Sequence, residues 1–214
     1  MIESSQIKDL YDPEKSGIVI LKNVLSDETL AQIQLFIQEK QSLFEVKREK
    51  FIANNQTVFL LYRGGFDFSY FEGTVFEEVM SHYVALRDRV HQESRLPFRR
   101  GNSVEIKLIH YPLSELGVGI HKDLSSNINM IVFYNLAGEA DVKTYSTKEG
   151  KNPIIHPVKA GDASIMRAPR SEEEPDIRPY HAVEKVEVER TVIVIREIDE
   201  VLEEITNQDN WRGF

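Results

Sequence analysis

Apolar and polar positions in the first hundred residues alternate between strand-like and helix-like patterns. Residues 17–24 form a β-branched apolar run typical of a buried strand. Ser26 follows as a candidate helix N-cap, with Asp27 and Glu28 in the first turn. Apolar residues then recur at near-helical spacing, which predicts a helix from about residue 27 into the forties.

A second strand and a second helix follow in the same half of the chain. Residues 57–62 have the composition of a strand. Thr74 and Glu77 have the spacing of a capping box, and apolar residues between 76 and 90 mark one helical face. The pattern predicts a support layer of helices and strands over residues 1–100.

From about residue 103 the helical period gives way to short strands separated by turn residues. The predicted strands are 104–111, 117–122, 127–136, 140–146, 152–157, 162–168, 179–187 and 189–196. Eight short strands at this spacing are typical of a jelly roll, the double-sheet architecture of cupins. We therefore expect a mainly β fold with flanking helices, in one domain over residues 1–214. Its jelly-roll core would span 101–198, and a C-terminal helix and tail would span 199–214.

Composition narrows the classes of function. The 214 residues suffice to bury a sizeable apolar core. The formal net charge of -9 opposes general nucleic-acid binding, which needs concentrated Lys and Arg, although a local basic site stays open. The chain has no cysteine, so any metal must be held by His, Asp or Glu. With no leader pattern and no apolar run of membrane-spanning length, a cytoplasmic protein without a membrane partner is expected.

A His-x-Asp pair at the end of the predicted strand 117–122 is the main chemical signal. His121 and Asp123 are two residues apart, and such side chains point to the same side of an extended segment. His181 begins the seventh predicted strand, which lies close to the second in a jelly roll. Together the three would form a two-histidine, one-carboxylate face with open positions opposite, as in non-haem Fe(II) oxygenases. Arg190 would then lie near the mouth, suited to a two-pronged contact with a carboxylate.

From about residue 104 to 196 an ordered set of motifs resembles the Fe(II)/2-oxoglutarate-dependent dioxygenase superfamily. The motifs are 106–111 (IKLIHY), 121–123 (HKD), 129–135 (NMIVFYN), 158–162 (VKAGD), 179–183 (PYHAV) and 189–196 (ERTVIVIR). Residues 17–30 (GIVILKNVLSDETL) are similar to the segment with which the domain begins in phytanoyl-type and prolyl-hydroxylase-type members of the superfamily. The set is specific for the superfamily and says little about the substrate.

The resemblance implies which residues bind the metal, and it implies one metal cofactor and two co-substrates. His121, Asp123 and His181 would bind Fe(II), and Arg190 would pair with the distal carboxylate of 2-oxoglutarate, with O2 as the further co-substrate.

Two more positions follow from the same resemblance. Tyr111 stands where a tyrosine often assists the distal carboxylate, and Asn129 stands where a polar residue is often near the co-substrate. Family members usually carry Thr or Ser two residues after the arginine, but this chain has Val192. The second hydrogen bond to the co-substrate must then come from Tyr111 or elsewhere.

Arg196 has two interpretations. It is six residues after Arg190 and on the same strand face. It either forms a surface ion pair or braces Asp123 or the co-substrate, and dioxygenases that repair alkylated nucleic-acid bases share its Arg-x5-Arg spacing. Other residues that are candidates for a substrate mouth are Tyr62, Arg63, Phe66, Arg167, Arg170 and Arg178.

The expected activity is hydroxylation of a small metabolite or amino-acid-like substrate, with release of succinate and CO2. The short chain and the acidic composition favour this small-molecule substrate. The alternatives are a macromolecule-modifying dioxygenase, acting on alkylated nucleic acid or on protein, and a cupin-like binding protein without turnover. A nucleic-acid partner is disfavoured because no basic stripe is present. The sequence leaves the oligomeric state open.

Overall fold

The computed structural model describes residues 2–40, 45–47, 56–93, 103–111, 114–169 and 177–200. Within them, the α-helices are α1 (Ser4–Tyr11), α2 (Asp27–Lys40) and α3 (Glu77–Glu93), with a short 3-10 helix at Ser69–Phe71. The first strands are β1 (Ile18–Leu21), β2 (Glu45–Lys47), β3 (Gln56–Gly64), β4 (Ser103–Tyr111), β5 (Ser114–His121) and β6 (Asn127–Ala137). The remaining strands are β7 (Glu139–Tyr145), β8 (Ile154–Lys159), β9 (Ala163–Arg167), β10 (Tyr180–Val186) and β11 (Arg190–Ile198).

Two antiparallel sheets face each other. The larger has the strand order β1-β9-β6-β11-β4-β3-β2, and the smaller has the order β5-β10-β7-β8. Apolar side chains of both sheets meet between them, among them Val192 and Val194 from the larger sheet and Val118 and Val183 from the smaller. This is the double-sheet architecture expected from the strand spacing, so the predicted fold class is confirmed.

The helices cover the other face of the larger sheet. Ile193 and Ile195 of β11 point to this side and belong to the same apolar cluster as Val79 and Tyr83 of α3. Side chains of a strand alternate between its faces, so the even-numbered residues of β11 face the smaller sheet. Strand β11 is therefore buried on both faces, and its even positions from Arg190 to Ile198 line the interior between the sheets.

The eight strands predicted after residue 103 correspond to β4–β11, with ends that differ by up to three residues. The predicted strand 17–24 is β1, and the Ser26 hydroxyl accepts the N–H of Thr29 at 3.2 Å, which confirms Ser26 as the N-cap of α2. The sequence reasoning missed α1 and β2. Helix α1 buries only Ile7 and Leu10, too few apolar positions to establish a period.

The predicted capping box of α3 is correct only in part. The Thr74 hydroxyl does cap the helix, but it accepts the N–H of Phe76, at 3.2 Å, and not that of Glu77 as a capping box would require. The Glu77 carboxylate, however, accepts the N–H of Gly73 at 2.8 Å instead of that of Thr74. The reason is that the Thr74 N–H already donates to the carbonyl of Phe71.

Some predictions fall on residues outside the described ranges. They are the helix beyond Lys40, most of the acidic stretch 170–179, and the C-terminal helix near 199–205 with the tail that follows it. The single-domain boundaries therefore stay a prediction. In the described part of the chain, no helix has the length and hydrophobicity needed to cross a bilayer.

A fully buried carboxylate links the helical layer to the larger sheet. Glu197 of β11 points toward α3 and is 0% exposed. Its oxygens accept hydrogen bonds from Arg87 Nε at 2.8 Å, Tyr83 Oη at 3.2 Å and Asn129 Nδ2 at 2.6 Å. Burial, followed by the nearby carboxylate, raises the pKa of Tyr83, which therefore stays a donor. The charge of Glu197 is compensated entirely by protein groups.

Glu197→Ala should destabilise the fold, because it leaves the Arg87 guanidinium and two other donors without their shared acceptor. Breaking a buried ion pair on one side typically costs about 3 kcal/mol or more. Urea denaturation should show this loss in the free energy of unfolding. Glu187→Ala, an exposed position ahead of β11, is the control and should change stability by less than about 0.5 kcal/mol. Equal stability of both variants would contradict a structural role for Glu197.

Candidate active site

The pairing of β5 with β10 brings the three candidate metal ligands together. His181 lies directly opposite His121 in this pairing, and Asp123 follows His121 by two residues. The two imidazole rings have centroids 4.2 Å apart. One possible ligand atom from each of His121, Asp123 and His181 lies within 4.8 Å of the others. The three residues chosen from the sequence thus share one site, and their role as ligands stays a prediction.

Backbone carbonyls orient both histidines. His121 Nδ1 is 2.8 Å from the carbonyl oxygen of Gly119, and His181 Nδ1 is 3.3 Å from that of Pro179. A carbonyl oxygen only accepts, so each Nδ1 carries the proton and each Nε2 keeps its lone pair. Such contacts fix the tautomer and ring orientation of metal-binding histidines. In both residues Nε2 is the nitrogen available to a metal.

One carboxylate oxygen of Asp123 has a hydrogen-bond partner among the described residues and the other has none. Its Oδ1 lies 3.3 Å from Arg196 Nη2. Its Oδ2 is buried, has no hydrogen-bond partner among the described residues and lies 3.5 Å from His181 Nε2. A buried acceptor without a partner is costly, and a cation between the imidazoles and this oxygen would remove the deficit.

The protonation states of His181 and Asp123 suit a metal. Burial lowers the pKa of His181 to about 4, against the opposing effect of Asp123, so the imidazole is neutral at neutral pH. Burial alone would raise the pKa of Asp123, but Arg196 and the two histidines outweigh it and hold the pKa below its ordinary value. Metal binding requires a neutral imidazole and an ionised carboxylate. Two nitrogens and one carboxylate oxygen with an open opposite face fit Fe(II).

Arg190 is a buried cation at the start of β11. Its side chain is 1% exposed, and Nε and Nη2 both donate to Asn135 Oδ1, at 2.9 and 2.6 Å. Tyr111 lies opposite Arg190 in the β4–β11 pairing, with its ring centroid 5.1 Å from the guanidinium carbon. Among the described residues no carboxylate forms an ion pair with Arg190. Burial lowers the pKa of Arg190, which still stays charged at any physiological pH.

Arg190 and the triad line one cavity of about 300 Å³ between the two sheets. Its walls are largely apolar, with Val118, Phe133, Val142 and Val183 among the lining residues. Burial raises the pKa of Tyr111, which also lines the cavity, so its hydroxyl keeps its proton and remains a donor. The cavity thus holds a candidate cation site and a buried guanidinium.

Asn129 does not lie where the resemblance placed it. Its side chain donates to Glu197 on the helical side and does not line the cavity. The cause is an irregularity in β6: the pairing with β11 shifts between Arg196 and Glu197, and Asn129 has a φ of 62°. In a regular strand it would share the cavity face with Ile131. A contact of Asn129 with the co-substrate therefore has no support from this geometry.

Arg196 is not a surface residue. Its side chain is 17% exposed and bridges Asp123, at 3.3 Å from Nη2, and Glu105, at 3.6 Å from Nη1. Of the two interpretations of Arg196, this geometry fits the one in which it braces Asp123. Arg178 Nη1 also donates to the backbone carbonyl of Asp123, so cations hold this residue from two sides.

The other residues proposed for a substrate mouth divide into two groups. Arg63 lies 3.8 Å from Glu105, which lines the cavity. Arg167 instead donates to the backbone carbonyls of Asp12, just after α1, and of Ile177. Tyr62 and Phe66 pack against the apolar cluster on the helical side of the larger sheet. Arg170 lies outside the described residues.

Sequence reasoning missed Asn135, Glu105 and Lys107. Asn135 orients Arg190, and the other two line the cavity beside Arg196. A signal was present in each case, because Asn135 interrupts an apolar strand, and Glu105 and Lys107 alternate with buried apolar residues of β4.

No protein-family model and no curated protein gives a significant match to the sequence. Solved structures do match. A prolyl hydroxylase from Trichoplax adhaerens, in complex with a peptide of hypoxia inducible factor, has 16% identity and a TM-score of 0.65 over 94% of this chain and 91% of that chain. A Pseudomonas putida prolyl-4-hydroxylase has 13% identity and a TM-score of 0.64 over 91% of this chain and 98% of that one.

A third similar structure performs different chemistry on the same fold. It is the non-haem α-ketoglutarate-dependent epimerase SnoN from nogalamycin biosynthesis, with 9% identity and a TM-score of 0.61 over 92% of this chain and 81% of that one. At such identities the likeness establishes the fold. The chain has the double-stranded β-helix that the resemblance predicted.

Asp123→Ala should weaken Fe(II) binding by more than about 100-fold, because it removes the one anionic ligand. Loss of an outer partner of a ligand alone typically costs about 10- to 100-fold. Anaerobic titration against a competing chelator measures the affinity. Asp88→Ala removes the same charge from an exposed position of α3 and should bind iron normally. Normal affinity in Asp123→Ala would show that the triad is wrongly assigned.

The metal-free protein should lose stability as the pH falls from about 6.5 to about 4. In this window His181 binds a proton in the unfolded chain but not in the folded one, so protonation favours unfolding. The full shift corresponds to a loss of up to about 3 kcal/mol. Denaturation with chelator present should show a shallower pH slope for His181→Ala than for the parent or for His91→Ala, an exposed control. Identical slopes in all three would contradict the low pKa of His181.

Proposed function

We propose that the chain is an Fe(II)- and 2-oxoglutarate-dependent dioxygenase that hydroxylates a small metabolite or amino-acid-like compound. The observation that carries the proposal is Arg190, a buried cation with no acidic partner among the described residues, in the same cavity as the triad. Burying an unpaired charge is costly, so Arg190 is best explained by a ligand that brings the missing anion.

A metal at the triad and the Arg190 guanidinium would be two positive centres in one cavity, and this narrows the choice of ligand. A divalent metal at the triad and Arg190 would repel each other across the cavity unless an anion lay between them. A ligand with a carboxylate at each end neutralises both, and 2-oxoglutarate is such a dianion. Tyr111 and Asn135 complete the site for the distal carboxylate of 2-oxoglutarate. The Tyr111 hydroxyl can donate a hydrogen bond to this carboxylate, and Asn135 holds the Arg190 guanidinium in place. Tyr111 would thereby supply the hydrogen bond that Val192 cannot.

His121, Asp123 and His181 would hold the iron through two Nε2 atoms and a carboxylate oxygen. With 2-oxoglutarate and O2, bound Fe(II) supplies an oxidation that yields succinate and CO2 and places one oxygen atom in a substrate C–H bond. The protein's own contribution is orientation and exclusion of water. Arg196 and Arg178 hold Asp123, and the apolar walls keep the interior dry.

The dimensions of the cavity favour a small substrate. Its volume of about 300 Å³ is at the lower end of the range for small-molecule sites, and 2-oxoglutarate would occupy part of it. A prolyl peptide is the second candidate, because two proteins of the same fold are prolyl hydroxylases. Succinate release over a panel of metabolites and prolyl peptides separates the two. A protein that binds 2-oxoglutarate without turnover on any panel member would instead match a cupin-like binding protein.

Arg190→Met should lower the affinity for 2-oxoglutarate by at least about thirtyfold, because a charge-assisted contact contributes about 2 kcal/mol or more. Iron binding should persist, since Arg190 is not a ligand. Anaerobic titration of the iron-loaded protein, followed by the visible charge-transfer band of bound 2-oxoglutarate, measures both. Arg89→Met, an exposed position of α3, is the matched control.

Arg196→Met should lower the affinity for 2-oxoglutarate less than Arg190→Met does. An unchanged affinity in Arg190→Met together with a large loss in Arg196→Met would reverse the assignment and favour a nucleic-acid-repair type of enzyme. Absence of the band in the parent protein at saturating iron and 2-oxoglutarate would overturn the proposed function itself.

A further inference from the structure

The cavity has two sides, because the strands of the two sheets are stacked in matching order. At one edge, Gly117 of β5 lies against Tyr111 of β4, so closely that an added Cβ would come within 3.2 Å of the ring. At the other edge, Lys22, directly after β1, donates to the carbonyl of Pro157 in β8 at 2.8 Å. With the strand orders of the two sheets, β5 and β10 therefore cover β4 and β11, whereas β7 and β8 cover β9 and β1.

The proposed co-substrate would occupy one of these sides. The triad belongs to β5, β10 and the residues that follow β5, and Arg190 and Tyr111 belong to β11 and β4. A ligand that joins the triad to Arg190 stays between these strands. The side formed by β1, β9 and β7, with Phe133 of β6 at its boundary, is left to the primary substrate.

Ser164 of β9 is a buried hydroxyl on this second side. It is 1% exposed, lines the cavity, and pairs with Phe133 of β6 and Ile20 of β1, both of which are apolar. Its Oγ has no hydrogen-bond partner in the described part of the chain. A buried hydroxyl without a partner is costly, and an alanine would fit the same strand without this cost. A ligand in the cavity can supply the missing partner.

The other walls of this side are apolar and uncharged. The residues that β1, β7 and β9 contribute to the lining are Ile18, Val142, Ser164 and Met166. A charged group buried against them would find no counter-charge on these strands, and burying an unpaired charge is costly. A serine hydroxyl, by contrast, can donate to or accept from a neutral hydroxyl, carbonyl or amide.

We propose, on the basis of the function above, that Ser164 is a specificity-determining residue for the primary substrate. The substrate places an uncharged, mainly apolar portion between β9 and β7, and a neutral polar group of this portion forms a hydrogen bond with the Ser164 hydroxyl. The apolar contacts come from Ile18, Met166 and Val142. The substrate class is a small, mainly apolar compound with a neutral hydrogen-bonding group.

Thermal unfolding tests whether the hydroxyl has a structural role instead. Ser164→Ala should not lower the melting temperature of the protein loaded with Fe(II) and 2-oxoglutarate, because the hydroxyl has no partner to lose. Ser103→Ala is the matched control, since Ser103 Oγ is also buried without a partner among the described residues but does not line the cavity. Both variants should unfold at the temperature of the parent or above it.

Three probes of similar size test the binding preference. They are n-pentanol, n-pentyl chloride and n-pentanoate, titrated without O2 into the protein loaded with Fe(II) and 2-oxoglutarate and followed by calorimetry and by the charge-transfer band. Ser164→Ala should lower the affinity for pentanol by about fivefold, the value of one neutral hydrogen bond, and that for pentyl chloride by less than about twofold. Pentanoate should bind the parent at least about tenfold more weakly than pentanol does.

Two further variants separate the hydroxyl from the space it fills. Ser164→Cys keeps nearly the same shape with a much weaker donor, so it should lose affinity for pentanol as Ser164→Ala does. Ser103→Ala should bind all three probes like the parent. The affinity for 2-oxoglutarate should change less than about twofold in every variant, since Arg190 and the triad are intact.

Several results would overturn this inference while the charge-transfer band, and with it the proposed function, remains. They are equal losses for pentanol and pentyl chloride, binding of pentanoate as tight as that of pentanol, normal binding of pentanol by Ser164→Ala, and binding of no probe at all. A melting temperature lowered by more than about 3 °C in Ser164→Ala but not in Ser103→Ala would make the hydroxyl structural and overturn it as well. If no band forms in the parent protein, both proposals fall together.

Discussion

The register of β10 against β5 is the constraint on which the candidate site depends. It places His181 opposite His121, and a shift by one residue would turn His181 away from the interior between the sheets. Val118 and Val183 pack these two strands against the larger sheet, and the pairing shifts between this apolar pair and the two histidines. On its other side β10 pairs regularly with β7, where His181 lies beside Thr144. The position of the histidine is thus determined by the packing of the smaller sheet.

Strand β11 shows two different ways of burying a charge. On its helical face, Glu197 accepts hydrogen bonds from Arg87, Tyr83 and Asn129, and nothing is left for a ligand to supply. On its other face, the partners that the described residues give Arg190 are neutral, namely the amide of Asn135 and the side chain of Tyr111.

Both residues are fully buried and belong to one strand, so burial alone does not separate a structural charge from a functional one. The distinction lies in the partners. A charge compensated within the protein stabilises the fold, whereas a charge held by neutral groups is prepared for a ligand of opposite sign.

The alternation of side chains between the two faces of each strand was sufficient to predict most of the fold and the position of the triad. It placed His121 and Asp123 on one side of an extended segment and Arg190 and Arg196 on one face of a strand, and in the structure both pairs line the cavity. The place of Asn129 came from the resemblance, and neither the resemblance nor alternation indicated the positive φ and the register shift that interrupt β6 there. No residue in that strand marks the irregularity, since an asparagine is compatible with both conformations.

Other features of the site depend on partners distant in sequence. Glu105 and Lys107 alternate with apolar residues, a pattern typical of a strand with one face in water. The second sheet covers that face, and their charges are therefore enclosed in the cavity. That Arg190 has no acidic partner in the described part of the chain is likewise a property of the assembled interior. Sequence spacing indicates which residues share a face, but not which charges remain uncompensated.

The fold leaves one part of the cavity free to vary. The triad is fixed by the pairing of β5 with β10, and Arg190 is fixed by its place at the start of β11 beside Tyr111. Similar folds act on substrates as different as a prolyl residue and the target of an epimerase, so the substrate must be selected elsewhere. In this chain the remaining lining includes the end of β4 with its shared carboxylate. A substitution there would leave the triad and the apolar core in place, because Lys107 belongs to neither.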